Sequence, residues 1–257
     1  RGLGDVYKRQ VFGDDGEKFG NWPDTYEWVY EQGWLEDFFT ALTEAGDWLE
    51  VLPPAEAIAG RPPAGDVFIP ALSYAEMGEW TRLDPDAGPD DPPGHWRNYL
   101  CKYPESKQML DRTVHISNLL AGDAGTRLPD DLRSAVEQHL GKAQCNCAYW
   151  HGVFGGIYLN YLRHVLHMHA SEAETALHNV KSGAGPSVTA YPAGDELSRQ
   201  YLLSTSSLGA VVDADHGLCL TRLDGRDTAF CWTNVLTRRR EHYHARLVER
   251  QSDQAGE

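Results

Sequence analysis

Residues Gly13–Leu35 read GDDGEKFGNWPDTYEWVYEQGWL. Just ahead of them Val11-Phe12 reads as the end of a short apolar strand running into an acidic turn flanked by glycines, Gly13-Asp14-Asp15-Gly16. A strand that stops in such a turn puts Asp14 and Asp15 at the carboxyl edge of a sheet, where α/β folds carry their ligand sites. Behind the turn, Thr25–Gln32 and Trp34–Thr43 carry apolar residues at helical spacing, with Gly33 and Gly46 as stops.

Further along, Val67-Phe68-Ile69 reads as another short strand, followed by the stretch Tyr74–Trp80. The stretch DPDAGPDDPPG, Asp84–Gly94, is a loop because its prolines exclude regular structure, and it marks a boundary. His95–Leu120 and Leu132–His178 are mostly helical in pattern, with Gly152, Gly155 and Gly156 interrupting the second run. Lys181–Asp195 is Gly/Pro/Ser-rich and reads as a linker. After it, YLLSTSSLGAVVDADHGLCLTRLD (Tyr201–Asp224) and TAFCWTN (Thr228–Asn234) have the short β-prone runs and Gly/Asp turns of antiparallel strands, too few to complete a sandwich. Arg1–Gln10 shows no period and is set aside as a non-native leader, so both ends read as truncations.

The bulk numbers bound the function. A chain of 257 residues suits one large domain or two smaller ones. Its formal charge of -15 argues against a nucleic-acid partner, because phosphate binding rests on clustered Lys and Arg. No apolar run reaches the length of a membrane span and no signal peptide is visible, so the sequence reads as soluble and intracellular. Five cysteines are an odd number in a chain too large to need stapling, which favours reduced thiols.

Several constellations carry chemistry. Asp14, Asp15 and Glu17 could be a solvated turn or a helix cap. The flanking Lys18-Phe19-Gly20-Asn21-Trp22-Pro23 favours more: an aromatic beside a carboxylate can stack on a sugar, and a cation can hold a neighbouring acid ionised. Glycoside cleavage needs two carboxyl groups, and this turn could supply one. Cys145, Cys147 and His151 invite a metal site, but zinc pairs use a longer spacing and four ligands, which favours packed, reduced cysteines. Tyr149-Trp150-His151-Gly152 combines flat apolar faces with a titratable donor and suits a sugar subsite or, equally, interhelical core. His164, His167 and His169 could chelate or simply line a helix edge, and Arg238-Arg239-Arg240 reads as a surface face with pairing partners.

Taken in order, GDDGEKFGNWPDTYEWVYEQGWL, SYAEMGEWTRLD, HWRNYLCKYPESKQM, AQCNCAYWHGVFGGIYLNYLRH and NVLTRRREHYH resemble the later part of glycoside hydrolase family 57, in its 4-α-glucanotransferase/α-amylase branch. The resemblance implies an α/β chain: the C-terminal part of an incomplete (β/α)7 barrel plus a helical domain, followed by the first strands of a β-sandwich. The corresponding divisions fall at residues 1–10 (leader), 11–83 (barrel), 84–180 (helical) and 181–257 (linker and sandwich). It implies a retaining α-glucan enzyme, transferase or amylase, acting by double displacement on α-1,4-glucans or maltooligosaccharides. Asp15 then becomes the general acid/base, with Asp14 as the alternative, and Glu17, Trp22, Tyr149, Trp150 and His151 become substrate contacts. Cys147 stands where some members carry Asp. The family's nucleophilic Glu lies upstream of anything present here, so none is assigned and the fragment is expected to be inactive alone. The expected enzyme is cytoplasmic, uses neither metal nor organic cofactor, and meets no nucleic acid or membrane; a homodimer is left open for the full-length protein. The rivals are a non-catalytic glucan-binding or structural protein built on Trp22, Tyr149 and Trp150, and a metal-dependent deacetylase using Asp14, Asp15 and a His.

Overall fold

The computed structural model describes residues 11–60, 62–63, 65–70, 75–82, 94–152, 154–183, 185–191, 199–241 and 243–244. The leader Arg1–Gln10, the proline-rich loop from Asp84 to Pro93 and the end of the expected linker from residue 192 lie outside the described residues. The chain divides into two units, residues Arg1–Ile69 and Pro70–Glu257.

In the first unit the acidic stretch closes a single 3-10 turn, Gly16–Lys18. A helical segment entered at Thr25 widens into a π-helix at Glu27–Glu31, and α1 (Trp34–Glu44) and α2 (Pro54–Ala59) follow. Gly33 makes the break between π-helix and α1 because it sits at φ 77°, a conformation that costs other residues a steric clash. The helices fall where the apolar spacing places them. Val11-Phe12 and Val67–Ile69, expected as strands, are not: they run as exposed coil. A strand exists only by pairing its backbone groups, and no partner strand stands among the described residues of this unit.

The second unit joins a helical body to a sheet. Its helices are α3 (Ala75–Trp80), α4 (Asn98–Lys102), α5 (Pro104–Ala121), α6 (Asp123–Thr126), α7 (Asp130–Ala143) and α8 (Asn160–Ser182). Starts are written in the sequence: Pro104 opens α5 at its first position, and Asp130 and Asp131 set negative charge in the first turn of α7. Ala143, Ala170 and Ala173 are fully buried, and their small side chains let α7 and α8 approach closely; Ile116, Val136, Leu140 and Leu177 fill the remaining core. Strands β1 (Ser187–Tyr191), β2 (Gln200–Ser204), β3 (Leu208–Asp213), β4 (Cys219–Gly225) and β5 (Phe230–Cys231) form an antiparallel meander in chain order. Leu202 pairs with Val211 and, with Tyr191, forms the buried apolar centre of the sheet.

The expected linker is corrected here. Helix α8 continues to Ser182, and β1 occupies Ser187–Tyr191, because Val188, Thr189, Ala190 and Tyr191 pair in register with Leu203, Leu202, Tyr201 and Gln200. Beside Gly and Pro the β-prone residues were read as spacer; the neighbouring strand decides otherwise.

Candidate functional site

In the first unit, Asp15 precedes the Gly16–Lys18 turn with extended backbone. Lys18 closes back over the acids: its Nζ lies 2.6 Å from Asp14 Oδ1 and 3.5 Å from Asp15 Oδ2, and 5.7 Å from the centre of the Trp22 ring. The Lys18 hydrogen bond, with the Asp15 N–H donating to Asp14 Oδ1 at 2.9 Å, holds the Asp14 carboxyl below its usual range. Asp14 is thereby occupied, while the Asp15 side chain is 62% exposed and open to a ligand. Glu17 contributes through its backbone: its carbonyl accepts the N–H groups of Asn21 and Trp22, turning the chain so that Trp22 sits beside Lys18. One turn thus gathers Asp14, Asp15 and Trp22 around a single cation.

In the second unit, Tyr149, Trp150 and His151 occupy the irregular segment between α7 and α8. Tyr149 is anchored at both ends, its hydroxyl donating to the Ala143 carbonyl at 2.7 Å and its carbonyl accepting from Ser106 Oγ at 2.6 Å; burial raises its phenol to about 12. The turn beyond is tied by the Ile157 N–H donating to the Trp150 carbonyl at 2.8 Å. Gly156, at φ 46°, lies against that carbonyl so closely that any Cβ would collide with it. His151 is buried, with Nδ1 3.1 Å from the Gly155 carbonyl. A carbonyl only accepts, so Nδ1 carries the proton. Burial lowers the pKa of the ring and so favours its neutral form, in which Nε2 is a lone-pair acceptor. Among the described residues Nε2 meets no hydrogen-bond partner.

Three aromatic rings wall the imidazole: Trp80 at 4.9 Å, Tyr158 at 4.7 Å and Tyr243 at 5.6 Å between centres. The sequence reading passed over all three as functional residues. Trp80 and Tyr243 lie in the stretches SYAEMGEWTRLD and NVLTRRREHYH, whose aromatic content was the available signal.

The other constellations resolve differently. Cys145 and Cys147 are exposed, Cys147 donating to Asn146 Oδ1, and all five cysteines are free thiols. The three α8 histidines part company: His164 packs on Phe230, His167 meets Arg112, and His169 meets His139. Among the described residues no group of three or more His, Cys, Asp or Glu side chains is placed to hold a metal ion. Arg239 pairs with Glu105 at 3.0 Å and Arg238 lies over the Tyr158 ring, so both are engaged. No helix of the described residues is long and apolar enough to cross a membrane.

Residues 94–177 match the family model described as "Alpha-amylase/4-alpha-glucanotransferase, middle domain", and residues 196–257 match "Alpha-amylase/4-alpha-glucanotransferase, C-terminal". The 4-α-glucanotransferase of Thermococcus kodakarensis is 34% identical over 260 residues, covering 94% of this chain and 37% of that protein. The α-amylase of Pyrococcus furiosus is 34% identical over 274 residues, covering 97% of this chain and 38% of that protein. The crystal structure of 4-α-glucanotransferase from Thermococcus litoralis superposes with a TM-score of 0.65 at 32% identity, covering 94% of this chain and 38% of that one. The chain therefore spans less than two fifths of the length of these relatives.

Proposed function

The chain belongs to glycoside hydrolase family 57, in its α-amylase/4-α-glucanotransferase branch, and we propose that it forms part of a retaining enzyme that cleaves α-1,4-glucans and passes the glycosyl group to a sugar or to water. The observation that carries the reading is the Gly13–Trp22 turn, which holds an exposed carboxylate beside an aromatic face with Lys18 bridging the two. In this reading Asp15 protonates the glycosidic oxygen as its bond to the anomeric carbon breaks, while a nucleophilic carboxylate from outside these 257 residues attacks that carbon. Asp15 then takes the proton from the acceptor hydroxyl or water that displaces the enzyme. Trp22 and Trp150 supply stacking faces, and His151 offers Nε2 as an acceptor for a sugar hydroxyl. Alone, the chain turns over no glucan.

The division into barrel end (11–83), helical domain (84–180) and sandwich start (181–257) is part of the proposal, supported by the middle-domain match over 94–177 and the C-terminal match from 196. Five free thiols support a reducing, cytoplasmic setting. Light scattering on the full-length protein decides between monomer and homodimer.

The test is Asp15→Asn in the full-length protein. The near-isosteric amide keeps the shape but cannot donate the proton, so turnover should be nearly abolished with maltooligosaccharide affinity preserved. The loss should shrink for an activated aryl glycoside, whose leaving group needs less protonation. Unchanged turnover in Asp15→Asn overturns the assignment, and if Asp14→Asn instead abolishes it with that leaving-group dependence, the acid/base is Asp14.

A further inference from the structure

Glu241 takes no part in the proposed chemistry, yet its residue is 1% exposed and it anchors an unusual amount of structure. Tyr103 and Tyr158 donate their hydroxyls to Oε1 at 2.6 and 2.8 Å, and Lys102 Nζ lies 2.6 Å from Oε2. Burial pushes the Glu241 carboxyl up, but the hydrogen bonds from Lys102 and the two tyrosines outweigh it and hold the group ionised below its usual range.

Each strand of this web ends at the box around His151. Tyr158 is one wall, its ring edge-on to the imidazole. Lys102 also donates to the Trp80 carbonyl at 3.2 Å, and Trp80 is the second wall. Tyr243, the third wall, follows Glu241 by two residues and packs on Trp80 at 5.5 Å. Tyr103 supports the arrangement by stacking edge-on against Tyr158 at 6.1 Å. A buried carboxylate and ammonium are a poor means of adding stability, since well-packed apolar residues of similar volume serve as well or better. What a carboxylate adds is direction: two hydroxyls and an ammonium must converge on it, which fixes the rings and backbone that carry them.

We propose that Glu241 is a positioning residue that, through Tyr158, Lys102 and its own segment, holds the aromatic box so that His151 keeps Nδ1–H on the Gly155 carbonyl and Nε2 as a single buried acceptor. The functional meaning rests on the reading of the Trp150-His151 turn as glucan-facing; the positioning itself does not.

The experiment follows the His151 ring nitrogens by NMR in the 257-residue chain without glucan, in wild type, Glu241→Gln, Tyr158→Phe and the double variant. Wild type should show one tautomer, protonated at Nδ1. Glu241→Gln retains an oxygen for the tyrosines but loses the charge that holds Lys102, and Tyr158→Phe keeps the ring but frees it from the carboxylate. Each should lose the single-tautomer pattern and shift the Trp80 and Trp150 indole signals, while the Leu140 and Leu177 methyl signals of the distant core stay in place. The double variant should do little more than either single one, since both act through the same contact. A His151 tautomer that survives in both variants overturns the proposal, as does a disturbance of box and distant core together. Should Glu241→Gln fail to fold, Tyr158→Phe decides by the same criteria. A parallel maltooligosaccharide titration separates the two readings: absence of binding by wild type counts against the glucan-facing turn and leaves the tautomer result to stand or fall alone.

Discussion

The two units treat their apolar side chains in opposite ways. In the first, Trp22, Tyr26, Trp28, Tyr30, Phe39 and Trp48 all remain substantially exposed, and Val29 is the one buried residue among those described. Its rings touch one another in a ladder, Phe19 on Trp34, Trp28 on Trp34, Trp34 on Phe38. In the second, Tyr103, Ile116, Ala143, Ile157, Ala170, Ala173 and Leu177 are sealed from water, and charged groups are sealed with them. The lesson is that the two candidate constellations, one in each unit, rest on different foundations. The acid/base candidate sits on a surface turn held by one lysine, and the His151 box sits on a packed core.

Hydrogen exchange should expose this contrast most strongly. Amides of α7 and α8 should be protected through their shared core, whereas those of Asn21–Thr25 and α1 should exchange by local opening, on the order of a thousandfold faster. Equal protection in both units would break the comparison.

The next largest effect concerns the charges inside the second unit. Glu174 lies between Arg112 and Arg222 at 2.9 and 2.8 Å, and both arginines also reach Asp224, at 3.1 and 2.8 Å. This cluster joins α5 and α8 to β4. Burial pushes the Glu174 carboxyl up, but Arg222 and Arg112 outweigh it and hold it well below the usual carboxylate range. Glu174→Ala leaves two guanidiniums short of a partner and should destabilise the unit by about 3–5 kcal/mol in urea unfolding. Loss of less than about 1 kcal/mol would show that the cluster is not closed in solution. The same measurement has a pH signature. Burial and then Arg112 and Arg222 lower the His167 pKa well below its ordinary 6.5, so the unfolded chain takes up that proton first. The His167 contribution should therefore be constant above about 6.5 and be lost as pH drops below it. Glu174, depressed when folded, adds its own loss only below its ordinary 4.5.

A smaller, local effect is expected at the turn that carries Trp150. Gly156→Ala meets both a left-handed φ and the Trp150 carbonyl, so it should cost about 1–3 kcal/mol and loosen His151, whereas Gly141→Ala, in an open helical position, should be neutral or stabilising. Equal melting temperatures for the two variants would mean that the turn is not held as described.

How far the sequence could be read follows the same divide. Helices α1, α5, α7 and α8 were legible in outline because each carries its own apolar period. Strands β2 to β4 were legible because each alternates between Gly and Asp turns. Val11-Phe12 and Val67–Ile69 were misread, and β1 was missed, for one reason: pairing is decided by a neighbour that local composition does not contain. The residues of the acidic turn were legible from type and spacing, as was the Tyr149–Gly152 run. Glu241, Lys102 and Trp80 were not, because a Glu 90 positions beyond His151 carries no local sign that it will be buried against Tyr158.

The smallest effect is at Lys18, and it tests whether the acidic turn exists as drawn. The hydrogen bond from Lys18 is the largest influence lowering the Asp14 pKa, with the Asp15 N–H second. Lys18→Met keeps the length and apolar stem but removes the charge, so a carboxyl titration by NMR should find Asp14 moved up toward its ordinary 3.8. Since the folded value is the lower one, the pair contributes stability above that ordinary value and loses it as pH falls through the folded one. The contribution is small because both groups face solvent, and salt should screen it, in contrast to the Glu174 cluster, which salt should barely touch. The variant should unfold as wild type does, because the pair is largely solvent-exposed. If Asp14 titrates identically with and without Lys18, the lysine does not close over the acids in solution, and the turn that gathers Asp14, Asp15 and Trp22 loses the contact that holds it together.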